Sequence, residues 1–240
     1  MGVKDITIAT LVYKSPEYLD FVLDSLKRYG SLENRVQYLV IANDATDEIK
    51  DKVLALTARS DAPHTGVIHD NPDPDEWWIQ RVYAAWNRCL EECETDYICF
   101  VNNDMAFTNG WLDALAKYDL TRYVPTSRLV ESERMPSLPG LISKNFGQTL
   151  ASFRNDEFQK FADSVKAQGF AAGVGAYMPS LFRVDVLKSV GGWHKNVGNI
   201  PGDRLTFSLL KKYMGIEQIM VMDSIAYHFQ RGESAEVGDL

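Results

Sequence analysis

Through the first hundred positions, apolar residues recur in short runs that each stop at polar side chains, with helical patterns between them. Ile6 to Val12 is one such β-rich run, and Ser15-Pro16-Glu17 after it supplies an N-cap, a proline at the first helical position and an acidic first turn. Leu19, Val22, Leu23 and Leu26 follow at helical spacing, and Gly30 suits the C′ position. Val36 to Ala42 predicts a second strand, ending in Asn43-Asp44, and Ile49, Val53, Leu54 and Leu56 mark a second helix. A third strand, Thr65 to His69, leads through a proline-broken loop at 70–75 into a helix from Glu76 to Glu92, then into the run that opens at Tyr97. Strands alternating with helices in this way predict an α/β fold, with a mainly parallel central sheet and helices on both faces.

Beyond Gly110 the pattern changes. Trp111 to Tyr118 predicts a helix, but Thr121 to Leu150 carries Pro125, Pro136, Pro139 and the arginines Arg122, Arg128 and Arg134 with little periodicity, which predicts a long irregular loop. Helical spacing returns from Asn155 to Gln168. Gly173 to Phe182 then predicts a strand, Val184 to Val190 a short helix, Gly191-Gly192 a turn and Asp203 to Tyr213 another helix. Ile219 to Phe229 predicts a last strand, with His228 near its end.

At 240 residues and 45% hydrophobic content the chain has enough apolar material for one substantial core, so a single domain over 1–240 is expected. No apolar run approaches the roughly 20 residues of a membrane helix, and the N-terminus lacks a basic-then-apolar leader, so a cytoplasmic protein is expected. Cys89, Cys93 and Cys99 are odd in number and fit reduced thiols; Cys89 and Cys93 lie four apart on a helix, but no His has the spacing to complete a zinc site. The formal charge of −8 argues against a broad nucleic-acid-binding surface.

The candidate chemistry starts from Tyr97 to Asp104, an apolar run that ends in Asn102-Asn103-Asp104. The carboxyl ends of buried parallel strands are where such sheets hold ligands, and a carboxylate there offers hard oxygen donors to magnesium or manganese. The same three residues also suit a plain polar turn that caps a helix beginning near Asn109 or Gly110.

The order of these strand ends resembles the family-two inverting glycosyltransferases of the A-type nucleotide-diphospho-sugar transferase fold, a Rossmann-like architecture. The likeness is strongest to the rhamnosyltransferase-like branch, whose metal motif reads Asn-Asn-Asp. Thr10-Leu11-Val12-Tyr13 is similar to the family's nucleoside-lining turn after strand one, which implies donor contacts from Thr10 and Val12. Asn43-Asp44-Ala45-Thr46-Asp47 resembles the turn after strand two, in which Asp44 inherits recognition of the base. In Gln80 to Asn87, similar to the helix that faces the sugar diphosphate, Asn87 carries over and Arg81 is offset from the usual arginine. Gly191-Gly192-Trp193-His194 followed by Gly202-Asp203-Arg204 resembles the family's late motif, with Gly202 in place of a glutamate and Asp203 as the catalytic base.

The resemblance implies transfer of a sugar from a UDP- or dTDP-linked donor with Mn2+ or Mg2+, residues 1–110 forming the donor half and 111–240 the acceptor half. Asp104 and His228 are then metal ligands, with Asn102 and Asn103 beside them at the donor. The acceptor is a glycan, a lipid-linked sugar or a modified DNA base. Each role has a plainer counterpart: Asp44 and Asp203 also suit helix caps, His228 a packed strand residue, and Trp77, Trp78 and Trp193 core positions as well as stacking faces. Two other functions remain open, a nucleotidyltransferase of the same fold and a noncatalytic nucleotide-sugar-binding protein. Val12 to Pro16 lacks the glycine-rich loop of the first, and Asn43, Asn102 and Gly202 stand where acids are common, which prompts the second.

Overall fold

The computed structural model describes residues 4–58, 64–73, 75–132, 140–173, 175 and 177–230. Arg134, Pro136 and Pro139 lie outside them. Four parallel strands, β1 (Asp5–Val12), β2 (Arg35–Asn43), β3 (His64–His69) and β4 (Tyr97–Val101), are linked by α1 (Pro16–Tyr29), α2 (Asp47–Thr57) and α3 (Trp78–Glu92). Each helix forms where apolar residues fall at helical spacing, and each buries that stripe: Leu19, Val22, Leu23 and Leu26 on α1, Ile49 and Val53 on α2, Tyr83, Trp86 and Leu90 on α3. Gly30 ends α1 in an extended conformation (φ −63°, ψ −158°) rather than a left-handed cap. A Cβ there would lie 2.6 Å from the Leu26 carbonyl oxygen, so glycine is needed for space.

The second half departs from its sequence pattern. After β5 (Met105–Phe107) and α4 (Trp111–Ala116), the segment expected to be an irregular loop contains β6 (Tyr123–Glu131) and β7 (Ile142–Ser143). Pro125 is accommodated in β6 because it points away from the main partner. The Ser127 N–H bonds Pro179 O on the β9 side (3.1 Å), and Pro125, two residues earlier, faces the same way. α5 (Asn155–Val165) ends three residues before Gln168, and β8 (Phe170–Ala172) follows. The strand expected over Gly173 to Phe182 shortens to β9 (Ser180–Arg183), antiparallel to β4, and leads into α6 (Val184–Ser189). α7 (Gly202–Leu209) continues as one π-helical turn over Leu210–Met214, and β10 (Glu217–His228) closes the sheet.

The sheet runs β3-β2-β1-β4-β9-β6-β10-β5, with β7 against β6 and β8 against β10. β9 is antiparallel to both β4 and β6, and β10 is parallel to β6, so β1 to β4, β6 and β10 all point the same way. Their carboxyl ends therefore share one edge. α1, α2 and α4 cover one face, around Leu19, Ile49 and Trp111; α3, α6 and α7 cover the other, around Trp86, Phe100, Leu187 and Phe207. Burying side chains of this size stabilises by roughly 1.5–3 kcal/mol each. Among the described residues, no helix is long and apolar enough to cross a membrane.

One buried acid ties this frame to the connection before β2. Asp113, 7% exposed, accepts hydrogen bonds from the Ser31 hydroxyl, the Leu32 N–H (2.9 Å) and the Asn34 amide (2.8 Å). Asp113→Ala strands all three donors and is expected to lower unfolding stability by about 1–3 kcal/mol. Urea denaturation would read this as a lower midpoint at an unchanged slope, and an unchanged midpoint would show that water replaces the carboxylate without cost.

Candidate active site

The shared edge carries the polar strand ends. Asp104 follows β4 at the entry to β5 and is 8% exposed. It caps no helix, because β5 intervenes and α4 starts from Gly110 in the left-handed conformation (φ 71°). The β10 register sets His228 opposite Met105 on one side and Glu131 on the other. Its ring joins the two neighbours: Nε2 lies 3.3 Å from Asp104 Oδ1, and Nδ1 lies 3.0 Å from Glu131 Oε2. The Phe229 N–H bonds Asp104 O (3.0 Å), which locks the register beside the pair. Burial alone favours the neutral ring, but the Asp104 and Glu131 carboxylates outweigh it and push the imidazole up to about 10.

Sequence reasoning missed Glu131, although it too ends a largely apolar strand; Pro125, Ser127 and Arg128 masked that pattern. Among the described residues no three His, Cys, Asp or Glu side chains converge as a metal site. The corner does fit a divalent cation at Nε2 in place of the proton, with Asp104 as second ligand and Glu131 holding Nδ1. A ligating histidine commonly holds its other ring nitrogen on a carboxylate, and a donor's phosphates commonly supply further ligands to a divalent cation.

A second group sits at the end of β2. Asp44 does not cap α2; Thr46 does, its hydroxyl accepting from the Ile49 N–H (3.5 Å). Asp44 is instead held in the left-handed region (φ 48°), a conformation that Asp tolerates better than most residues. Its carboxylate accepts from Asn71 N–H (2.8 Å), Asn71 Nδ2 (2.7 Å) and Arg81 Nη1 (3.0 Å). Arg81 thus reaches the turn after β2 from α3, while Asn71, which the sequence did not single out, follows β3. Arg81 Nε, Asn71 Oδ1, His69 Nε2 and, on β1, Thr10 Oγ1 are buried without a partner. Buried polar atoms are normally satisfied, so Arg81 Nε–H keeps an unused donor, and Asn71 Oδ1 and Thr10 Oγ1 keep unused acceptors, at these strand ends. Val12 closes β1 at the same edge, its side chain packed in the core. Asn102 and Asn103, both partly exposed, lie between β4 and Asp104.

The third group comes from the segment before α7. Asn87 on α3 spends its amide on the backbone of Trp193, Oδ1 accepting from N–H (2.8 Å) and Nδ2 donating to C=O (2.8 Å). Gln80 Oε1 accepts from Asn196 N–H (3.0 Å), and Glu76 pairs with Lys195. These ties lead to Asp203, in the first turn of α7 but two residues past its cap at Pro201. Burial raises the Asp203 carboxyl above its ordinary 3.8, against the opposing bond from the Arg204 N–H (2.6 Å). The Tyr83 hydroxyl lies against the backbone of Asp203 and Gly202. A side chain at Gly202 has no room, since its Cβ would fall 1.8 Å from the His194 carbonyl oxygen.

Other candidates fall outside these groups. Trp193 is buried at 2% exposure among Phe100, Phe182 and Phe207, whereas Trp77 and Trp78 are exposed. Arg128 donates to Gly140 O (2.9 Å) and Val165 O (3.2 Å), and Arg122 stacks over Tyr123. Cys89 and Cys99 are buried, which pushes both thiols up.

With this geometry in place, the comparisons are specific. The family model for glycosyl transferase family 2 matches residues 7–172, and the chain belongs to that family. No curated protein sequence matches it. Its fold is similar to that of GalNAc-T7 with UDP, GalNAc and Mn2+ (TM-score 0.60, 10% identity, covering 94% of this chain and 44% of that one). It is also similar to the mannosyltransferase PcManGT from Pyrobaculum calidifontis in complex with GDP-Man and Mn2+ (0.62, 15%, 98% and 60%). A third likeness is to S. aureus TarS 1-349 (0.58, 13%, 93% and 60%). The chain thus spans between 44% and 60% of these structures, and they establish the A-type nucleotide-sugar transferase fold.

The position of Asn87 separates two roles. Asn87→Ala leaves the Trp193 backbone unpaired and is expected to cost about 1–3 kcal/mol and to lower turnover, with nucleotide affinity retained. Calorimetric unfolding and nucleotide titration on one sample check this. Unchanged stability with lost nucleotide affinity would instead assign Asn87 to the diphosphate.

Proposed function

We propose that this chain transfers a sugar from a nucleotide diphosphate donor to an acceptor hydroxyl, with inversion at the anomeric carbon. The observation that carries it is the Asp104–His228–Glu131 corner on the sheet edge that also bears the Asp44–Arg81–Asn71 cluster and the α7 segment with Asp203. The first suits a metal-bound diphosphate, the second a nucleobase and the third an acceptor hydroxyl.

A uridine or deoxythymidine donor suits the second cluster. Their N3–H, flanked by two carbonyls, meets a carboxylate and an amide oxygen, Asp44 and Asn71 Oδ1, beside a buried Arg81 Nε–H donor. Thr10 and Val12 close the adjoining end of β1, where their backbone, rather than their buried side chains, meets the donor. Asp104 and His228 would hold Mn2+ or Mg2+, which when bound would neutralise charge on the departing diphosphate. Glu131 fixes the His228 ring, and Asn102 and Asn103 flank the phosphates. Asp203 takes the proton from the acceptor hydroxyl as that oxygen attacks opposite the leaving group, so the anomeric carbon inverts without a covalent intermediate. Burial suits Asp203 to this, since a raised carboxyl is a stronger base.

Glycan and lipid-linked acceptors fit better than DNA, which a chain of net charge −8 repels. The nucleotidyltransferase alternative has no phosphate-binding glycine between Val12 and Pro16.

UDP with Mn2+ is expected to raise the melting temperature, by about 2.7 kcal/mol of stabilisation at a hundredfold excess over Kd. Asp104→Ala should abolish the Mn2+-dependent part. Asp203→Asn should keep the stabilisation yet lower turnover roughly 10²–10⁴-fold. Because the base acts deprotonated, kcat/KM should fall with decreasing pH along a limb centred above 3.8, and that limb should vanish in Asp203→Asn. An Asp203→Asn enzyme with wild-type turnover would exclude this assignment.

A further inference from the structure

Two indoles stand out in solvent at the amino end of α3: Trp77 is 57% exposed and Trp78 58%. Nothing in packing requires them there, since the apolar stripe of α3 is satisfied by Tyr83, Trp86 and Leu90. This end of the helix belongs to the active edge. It follows β3, and Arg81, three and four residues on, turns to Asp44.

The segment from Trp193 to Asp203 rises beside them. Glu76 holds Lys195 and Gln80 holds Asn196 on either side of the indoles in sequence, and Asn196 Oδ1 in turn accepts from the Gly202 N–H (2.7 Å). Between these anchors Val197 and Ile200 exchange backbone bonds (3.1 and 3.0 Å) across a turn with Gly198 at φ 56°, and their side chains are 60% and 47% exposed. The two ties thus bring together two stretches that carry four large exposed apolar side chains, Trp77 and Trp78 on one and Val197 and Ile200 on the other, with amides and an ion pair between the stretches forming a rim. The rim ends three residues after Ile200, at the carboxylate assigned to deprotonate the acceptor.

We propose that this rim is the acceptor subsite and that it takes a carbohydrate, whose apolar C–H face stacks on Trp77 and Trp78. The inference rests on the glycosyltransferase function above. Flat aromatic faces bordered by hydrogen-bonding groups match a sugar ring, which is apolar on its faces and polar at its edge. A lipid tail would find that apolar surface broken by Glu76, Lys195, Gln80 and Asn196. A polyanionic acceptor would meet Asp73, Asp75 and Glu76 beside the indoles. The nucleobase is already provided for by Asp44, Asn71 and, further along the helix, Arg81.

Saturation-transfer NMR on the whole chain with UDP and Mn2+, using cellobiose, lactose and N,N′-diacetylchitobiose at millimolar concentration, tests this directly. At least one saccharide should show enhancement of its ring C–H protons, weakened about tenfold in the Trp77→Ala, Trp78→Ala double variant and retained in the corresponding double Phe variant. The UDP-dependent melting shift, read on the same samples, should be unchanged in both variants. Failure of all three saccharides to respond, or a full response from the Ala variant, would overturn the subsite. Loss of the UDP shift in the Ala variant would overturn it too, giving the indoles to the nucleotide. Absence of the UDP shift in the unmodified chain would instead count against the donor assignment.

Discussion

His228, its side chain 20% exposed, is held between two carboxylates that come from opposite sides of its strand. An imidazole there without them would be pushed toward neutrality by burial; with them it is strongly basic, and the three groups hold one another in register. Their geometry depends on the pairing of β10 with β5 and β6, so a one-residue slip of β10 would turn His228 to the other face and leave two buried acids unmatched. The bulge between Val221 and Ile225 lies inside the same strand. It is filled by Ser224, whose hydroxyl bonds Trp111 O (2.8 Å) and meets Ser127 Oγ (2.8 Å), so the register downstream is fixed by hydrogen bonds rather than by apolar packing alone.

α3 joins the other two groups of the edge. It distributes its side chains by helical face: Arg81 to the turn after β2, Gln80, Tyr83 and Asn87 to the segment before α7, and Trp86 and Leu90 to the core. The Asp44 cluster and the segment that carries Asp203 are thereby braced against one rigid element. Ligand groups held on helices and strands keep their geometry better than groups on loops alone. The cavity-free fit at Gly192 and Gly202, where Cβ atoms would strike Asn87 Oδ1 at 2.3 Å and His194 O at 1.8 Å, shows how tightly that segment is drawn in.

The first half of the fold was legible because each strand and helix carries its own periodic signal, from Ile6 to Glu92. The second half was not, for local reasons. β6 includes Pro125, Thr126, Ser127 and Arg128, whose polar groups are satisfied by neighbours that no local pattern reveals: Ile219 O for Thr126, Ser224 for Ser127, Gly140 and Val165 for Arg128. β5 is three residues long, below the length at which alternation can be read. Asp104, Asp44 and His228 were visible as polar endings of apolar runs. Glu131 was not, because Pro125, Ser127 and Arg128 break the apolar run before it, and Asn71 was not, because it lies in a loop and meets Asp44 only in the folded chain. The resemblance to the family supplied an order of motifs, while the structure adds who holds whom: Arg81 on Asp44, Asn87 on Trp193.

Anomalous diffraction at the manganese edge, from crystals grown with UDP and Mn2+, shows whether Asp104 and His228 hold the metal. A single strong peak is expected within bonding distance of both Asp104 and His228 Nε2, with the diphosphate beside it and Glu131 still on Nδ1. Bound UDP with the manganese elsewhere, or with His228 still bridging the two carboxylates and no metal between them, would contradict it.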